Sequence, residues 1–120
     1  MRPKIDATEF GSITIDGHRL DHDVVIGLDG AVKKRKKKLS KRVYGTSHRI
    51  SVAEARHVFE EGAALLIVGS GQHGLVSLDS ESAAFFAHRG CEVRLVPTPE
   101  AIQQWNDAEG AVIGLFHVTC

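Results

Sequence analysis

The chain has 120 residues, 42% apolar and 25% charged, which fits one globular domain over 1–120 and is short for a dinucleotide fold with a separate substrate domain. Its longest apolar run, Ala63 to Val68, is six residues, far below the roughly 20 of a membrane helix; MRPKIDATEF lacks the apolar segment of a secretory signal, so a cytoplasmic protein is expected. Formal net charge is zero, yet KKRKKKLSKR at 33–42 holds eight of the fifteen Lys and Arg, which leaves minus eight on the remainder.

Residues 1–48 read as β-rich. SITIDGHRL predicts two short strands about a turn at Asp16-Gly17. DHDVVIGLDGAVKK predicts a hairpin about Asp29-Gly30, with an apolar strand and a basic one. Residues 36–48 read as a loop. The basic stretch 33–42 has two readings: a surface for nucleic acid or anionic membrane, or a solvated arm whose charge blocks edge pairing. No aromatic residue is interleaved there for base stacking, which favours the second.

From residue 49 to 120 helices and strands alternate. Ser51 to Glu54 has the form of a capping box, with Val52, Ala55 and Phe59 on one helix face and Gly62 as the stop. A strand over 64–69 follows, then an extended stretch at Leu75 to Leu78. Asp79 or Ser80 caps a helix with Ala83, Phe86 and Ala87 inward, ending at Gly90. The next strand is 91–96. Thr98-Pro99 opens a third helix in cap-then-proline order, with Ile102 and Trp105 inward. The last strand is 111–117. Single helices between strands imply a parallel sheet. The expected fold is therefore an α/β, three-layer single domain with a mostly parallel central sheet, strands 64–69, 91–96 and 111–117, and an N-terminal β-hairpin addition.

LLIVGSGQHG carries the G-x-G-x-x-G spacing of a dinucleotide turn. Its context is wrong: the helix cannot start before about Asp79, and the second strand ends in Val96-Pro97-Thr98 with no acid for a ribose. No cofactor is expected. The parallel topology still places Gly45, Thr46, His48, Gly69, Ser70, Gly71, Gln72, His73, Thr98, His117, Thr119 and Cys120 on the carboxyl edge of the sheet, where open α/β folds bind ligands. Helix N-termini aimed there suit an anion.

Three chemistries compete for that edge. One is binding alone. Another is a nucleophile, Cys120, with His117 or His48 as base; no obvious third group orients the histidine, although Asp21, Asp23 and Asp79 are available. The third is a metal on His48, His73, His117 and Cys120, which is set aside because residues three apart at a strand end diverge. Cys91 and Cys120 lie at opposite ends of neighbouring strands, roughly 20 Å apart and beyond disulfide reach. His57 and His88 read as surface residues, and Trp105 as core.

GTSHRIS, LLIVGSGQHG, TPEAIQQWN and the terminal FHVTC, with DGHRLDHDVVIGLDGAV before them, resemble the adipogenesis-associated domain family of unknown function over about residues 5–120. That superfamily also includes a mitochondrial respiratory complex I assembly factor. The resemblance implies a three-layer α/β fold with a β-rich addition, no established reaction, and action through protein partners. The lysine run is not part of the family pattern. The leading expectation is a non-enzymatic binding or assembly module, monomeric or a small homo-oligomer, taking an anionic small ligand or a partner segment at the carboxyl edge. The enzyme and the nucleic-acid or anionic-membrane adaptor through Lys33–Arg42 are the alternatives.

Overall fold

The computed structural model describes residues 2–120. A three-stranded antiparallel sheet comes first: β1 (Ile5–Glu9), β2 (Ser12–Ile15) and β3 (His18–Leu20). At the β2–β3 turn Asp16 and Gly17 have φ of 48° and 79°, the paired positive values that a type I′ hairpin turn needs. The hairpin β4 (Val24–Ile26) and β5 (Val32–Lys34) follows, closed at Asp29-Gly30.

Then come α1 (Lys38–Tyr44), β6 (Arg49–Ile50), α2 (Val52–Val58), β7 (Leu65–Ser70), β8 (Ser77–Leu78), α3 (Ser80–His88), β9 (Glu92–Val96), α4 (Thr98–Asp107) and β10 (Val112–His117). The central sheet has the order β5-β4-β10-β7-β9. β10, β7 and β9 run parallel, while β4 is antiparallel to β10 and β5 to β4. The sheet is mixed, as a hairpin grafted onto a parallel core must be. β6 and β8 form a separate parallel pair.

Period-two alternation on the central strands sorts the core into two halves. Ile67, Val112 and Phe116 face a cluster that includes Ile5, Ile13, Val24, Ile26 and Trp105, under the N-terminal sheet and α4. Leu66, Val68, Ile113 and Leu115 face Ala55, Val58, Phe85 and Phe86, under α2 and α3. Three layers result. Among the described residues no helix is long and apolar enough to cross a membrane.

Several local expectations change. Residues 36–48 are not all loop, because α1 forms there. Its lysines and arginine are good helix formers, buried Ser40 anchors it, and Gly45 (φ 70°) closes it with an N–H to the Lys41 carbonyl. α2 ends at Val58, before Gly62, so Phe59 leaves the helix and stacks edge-on against Phe85 and Phe86. In α3 the buried side chains are Ser82, Phe85 and Phe86, whereas Ala83 and Ala87 are exposed; two phenylalanines bury more area than two alanines. β9 is an edge strand rather than a central one, because β10 takes the middle between β4 and β7.

Gly114 sits in that middle strand beneath the T-shaped pair Trp105–Phe116, with ring centroids 5.8 Å apart. A Cβ there would lie 2.6 Å from the Phe116 ring and 3.0 Å from Trp105. Gly114→Ala is therefore expected to destabilise the fold by about 1–3 kcal/mol through overpacking, read as a lower urea midpoint at unchanged m-value.

Candidate functional site

The parallel strands do bring the predicted segments to one rim. At its centre Thr98 does not cap its own helix. Its hydroxyl donates to the His117 carbonyl (2.6 Å) and accepts from the Gly71 amide (2.9 Å), while the Thr98 amide donates to the Gly71 carbonyl (2.9 Å). One side chain thereby joins the ends of β7 and β10 to the start of α4. Gly69 lets α4 approach, since a Cβ there would stand 2.9 Å from both Thr98 Oγ1 and the Phe116 ring.

The glycine turn is occupied by the protein itself. The Gln72 amide donates to the Thr119 carbonyl (2.7 Å), and those of His73 and Leu75 to the Cys120 oxygen (3.1 and 3.3 Å). Gly71 has φ 101°, and a Cβ on it would be 2.1 Å from the Cys120 carbonyl carbon. The amides that the sequence offers to an anion are thus bonded to residues 119 and 120. Around them the surface is apolar in places: Phe10 is 63% and Leu75 57% exposed, with the Phe10 ring 6.5 Å from His73. Gln72 Nε2 reaches back to Thr8 Oγ1 (3.0 Å) and the Glu9 carbonyl (3.3 Å), tying the N-terminal sheet to the rim.

The other predicted residues take local roles or border the rim. Gly45 closes α1, and Thr46 Oγ1 accepts from the His48 amide (3.1 Å). Ser70 is buried, and its carbonyl accepts from the Val76 amide (3.0 Å). His48 is half-buried, its ring 5.4 Å from that of His117 and nearly perpendicular to it. Among the described residues no three His, Cys, Asp or Glu side chains are gathered so as to hold a metal.

Beneath the rim lies a charged cluster that the sequence reading missed. Arg35, placed there among solvated lysines, is 3% exposed. Its Nε and Nη2 donate to the two oxygens of buried Glu54 (2.6 and 3.0 Å), its Nη1 to Asp23 Oδ2 (2.9 Å) and its Nη2 also to the Ser47 carbonyl (2.8 Å). Glu54 is not the reciprocal half of a capping box. Ser51 Oγ does accept from the Glu54 amide (3.2 Å), but the carboxylate faces Arg35 and takes the Ser40 hydroxyl (2.5 Å). The Ser51 amide donates to Ser40 Oγ instead (2.9 Å). The other seven cations of 33–42 are exposed, so the stretch is neither a uniform run nor wholly solvated.

Asp23 supplies the orienting group that no sequence argument had selected. Its Oδ2 lies 2.7 Å from His117 Nδ1, and its Oδ1 accepts from the Val118 amide (2.9 Å). A carboxylate at that distance requires a proton on Nδ1, and Nε2 on the other side of the ring lies 3.0 Å from Thr119 Oγ1. Burial works to raise the Asp23 pKa. The hydrogen bonds from His117 and Val118 and the nearby charges of His117 and Arg35 outweigh it and hold the group at about 2. Burial alone pushes the Cys91 thiol up. At the rim's border Tyr44 donates its hydroxyl to Asp79, which also caps α3 through the Ser82 amide.

The Asp23 carboxyl is more acidic folded than unfolded, so between about pH 4 and pH 2 the unfolded chain holds more protons and stability falls as pH drops. The depressed pKa contributes about 2 kcal/mol at neutral pH. Asp23→Asn should flatten the acid limb of urea midpoints measured from about pH 5 to about pH 2; an unchanged slope would assign that limb to other carboxylates.

Against known proteins, a model for a "protein of unknown function (DUF498/DUF598)" matches residues 5–114. A crystal structure of the conserved hypothetical protein PH1505 from Pyrococcus horikoshii is 34% identical, with 98% of this chain and 99% of that one covered and a TM-score of 0.88. The protein MT938 is 35% identical over the same shares, with a TM-score of 0.82. At 18% identity and a TM-score of 0.64, a Mth938-like domain from Bordetella pertussis shares the fold, with 97% of this chain and 85% of that one covered. With nearly its whole length matched by model and relatives alike, the chain belongs to the DUF498/DUF598 family of proteins of unknown function.

Proposed function

We propose that this domain is a non-enzymatic binding or assembly module that engages a segment of a protein partner through its carboxyl-edge rim. The observation that carries the reading is the state of the glycine turn. Its amides at Gln72, His73 and Leu75 are already bonded to Thr119 and Cys120, which leaves little for a small anion to claim. Phe10 and Leu75 meanwhile stand exposed around His73, and apolar side chains rimmed by polar ones favour protein contact. The family that the sequence resembles also includes a mitochondrial complex I assembly factor, which supports the same direction.

A photo-crosslinking residue at position 75, introduced in the cells that make the protein, tests this. The expected result is a discrete covalent adduct with one partner, lost in Phe10→Asp and absent when the probe sits at exposed Glu109. Adducts no different from those at position 109 would reject it.

A second reading rests on the line Asp23–His117–Thr119, which has the order of an acid, base and hydroxyl nucleophile. Thr119 Oγ1 would attack an acyl carbonyl, His117 Nε2 would take its proton and pass it to the leaving alkoxide, and water would release the acyl group. This moves the nucleophile from Cys120 to Thr119. Hydrolysis of p-nitrophenyl acetate by the purified protein should then vanish in Thr119→Val and survive in Cys120→Ser. Hydrolysis no faster than buffer, or equal loss in both variants, would eliminate it.

A further inference from the structure

The central sheet has a lateral edge at β5 that the rim does not explain. β5 terminates the central sheet. In the β4–β5 pair the Arg35 amide donates to the Asp23 carbonyl (3.0 Å) and the Gly27 amide to the Ala31 carbonyl (3.1 Å). Those two hydrogen-bonded pairs put Val25–Lys33 in the same class, so the N–H and C=O groups of Val32 and Lys34 point away from β4. Among the described residues no hydrogen bond reaches them.

A cavity lies on each face of this strand. One, of about 390 Å³, is lined by Val25, Lys33, Lys36, His57, Val58 and Glu60 on the α2 side. The other, of about 480 Å³, is lined by Ile15, His18, Leu20, His22, Val32 and Lys34 on the side of the N-terminal sheet. Their acids are partly engaged: Asp29, in the first, accepts from the Ala31 amide (2.9 Å), and Glu60 from the Leu28 amide (3.1 Å). Asp16 borders the second and accepts from the Lys4 amide (3.0 Å). The exposed cations Lys33, Lys34 and Lys36 stand along the edge and continue into Lys37, Lys38, Lys41 and Arg42.

We infer that the β5 edge is a docking site for an extended acidic polypeptide segment, added as a sixth strand of the central sheet. The free backbone groups of Val32 and Lys34 supply the ladder. The two cavities receive alternate side chains of the added strand on opposite faces. The lysines select acidic residues within it and repel the identical edge of a second copy, which carries the same charge. A polynucleotide would match the charge but not the backbone ladder, and no phenylalanine, tyrosine or tryptophan lines either cavity for base stacking. A membrane would meet a ridge between two hollows rather than a flat basic face. This site is independent of the carboxyl-edge rim.

The test uses the full chain and a fluorescent synthetic peptide that alternates glutamate and valine, of about strand length, followed by anisotropy. Saturable binding is expected. It should weaken by about tenfold or more in Lys33→Glu/Lys34→Glu, and similarly when alternate amides of the peptide are N-methylated. Phe10→Asp should leave it unchanged, which separates this site from the rim. Circular dichroism would verify that the exposed lysine variants remain folded. No saturable binding at low salt, indifference to N-methylation, or tighter binding of oligouridylate or of phosphatidylserine vesicles would each overturn the inference.

Discussion

Placing the Arg35 guanidinium in the interior is the constraint around which this domain is organised. A buried cation costs several kcal/mol of hydration, and the cost is offset only when charge and hydrogen-bonding geometry are both met. Glu54 grips it bidentately and Asp23 takes a third N–H. These side chains come from the far end of β5, the first turn of α2 and the residue before β4. Ser40 of α1 and His117 of β10 complete the set. Five elements, four of them close in sequence and the fifth the strand β10, must be in place together before all of these groups are satisfied. A bidentate arginine also fixes direction as well as distance, which lysine could not do here. The hairpin β4–β5 is thereby locked in register on β10.

This interior arrangement shapes what the rim above it offers. Because Asp23 holds both His117 and the Val118 amide, the residues after β10 leave the sheet along a set path and run into the glycine turn. Gly71 has no side chain to obstruct them. The result is a carboxyl edge knitted shut by main-chain bonds, with Phe10 and Leu75 left exposed on it. That distinguishes it from doubly wound sheets in which a glycine turn opens onto a ligand crevice.

Much of the architecture was readable because it rests on periodicity and turn chemistry. The apolar runs at 64–69 and 111–117 are strands buried on both faces, and Asp16-Gly17 and Asp29-Gly30 close hairpins as those dipeptides do elsewhere. The meeting of the glycine turn, Thr98 and the residues after β10 at one edge was also readable, since it follows from parallel strands; the arrival of Thr8 and Phe10 from the N-terminal sheet was not. What escaped was settled by long-range pairing. Arg35 is the one arginine between Lys33 and Lys41. Its identity was the only signal that it differs from its neighbours, and composition hides it. Glu54 fits a capping box so well that its second possibility, a buried ion pair, had no separate trace. Likewise Thr98 before proline has the form of a cap, yet its hydroxyl is claimed by partners 19 and 27 residues away. The position of β9 at an edge depends on which strand β10 pairs with, which no local pattern encodes.

The strand order also bears on how the chain acquires its structure during synthesis. β10 lies between β4 and β7, yet it is made after both. Until it emerges, the hairpin β4–β5 and the parallel pair β7–β9 are two fragments of a sheet with a gap between them. Each then exposes an unpaired inner edge and half of a core. The Asp23–His117 contact, spanning 94 residues, closes only when the last strand slides into that gap. Such non-local closure is slow compared with helix formation. The nascent protein therefore passes through a stage in which the inner edges of β4 and β7 await the same late segment.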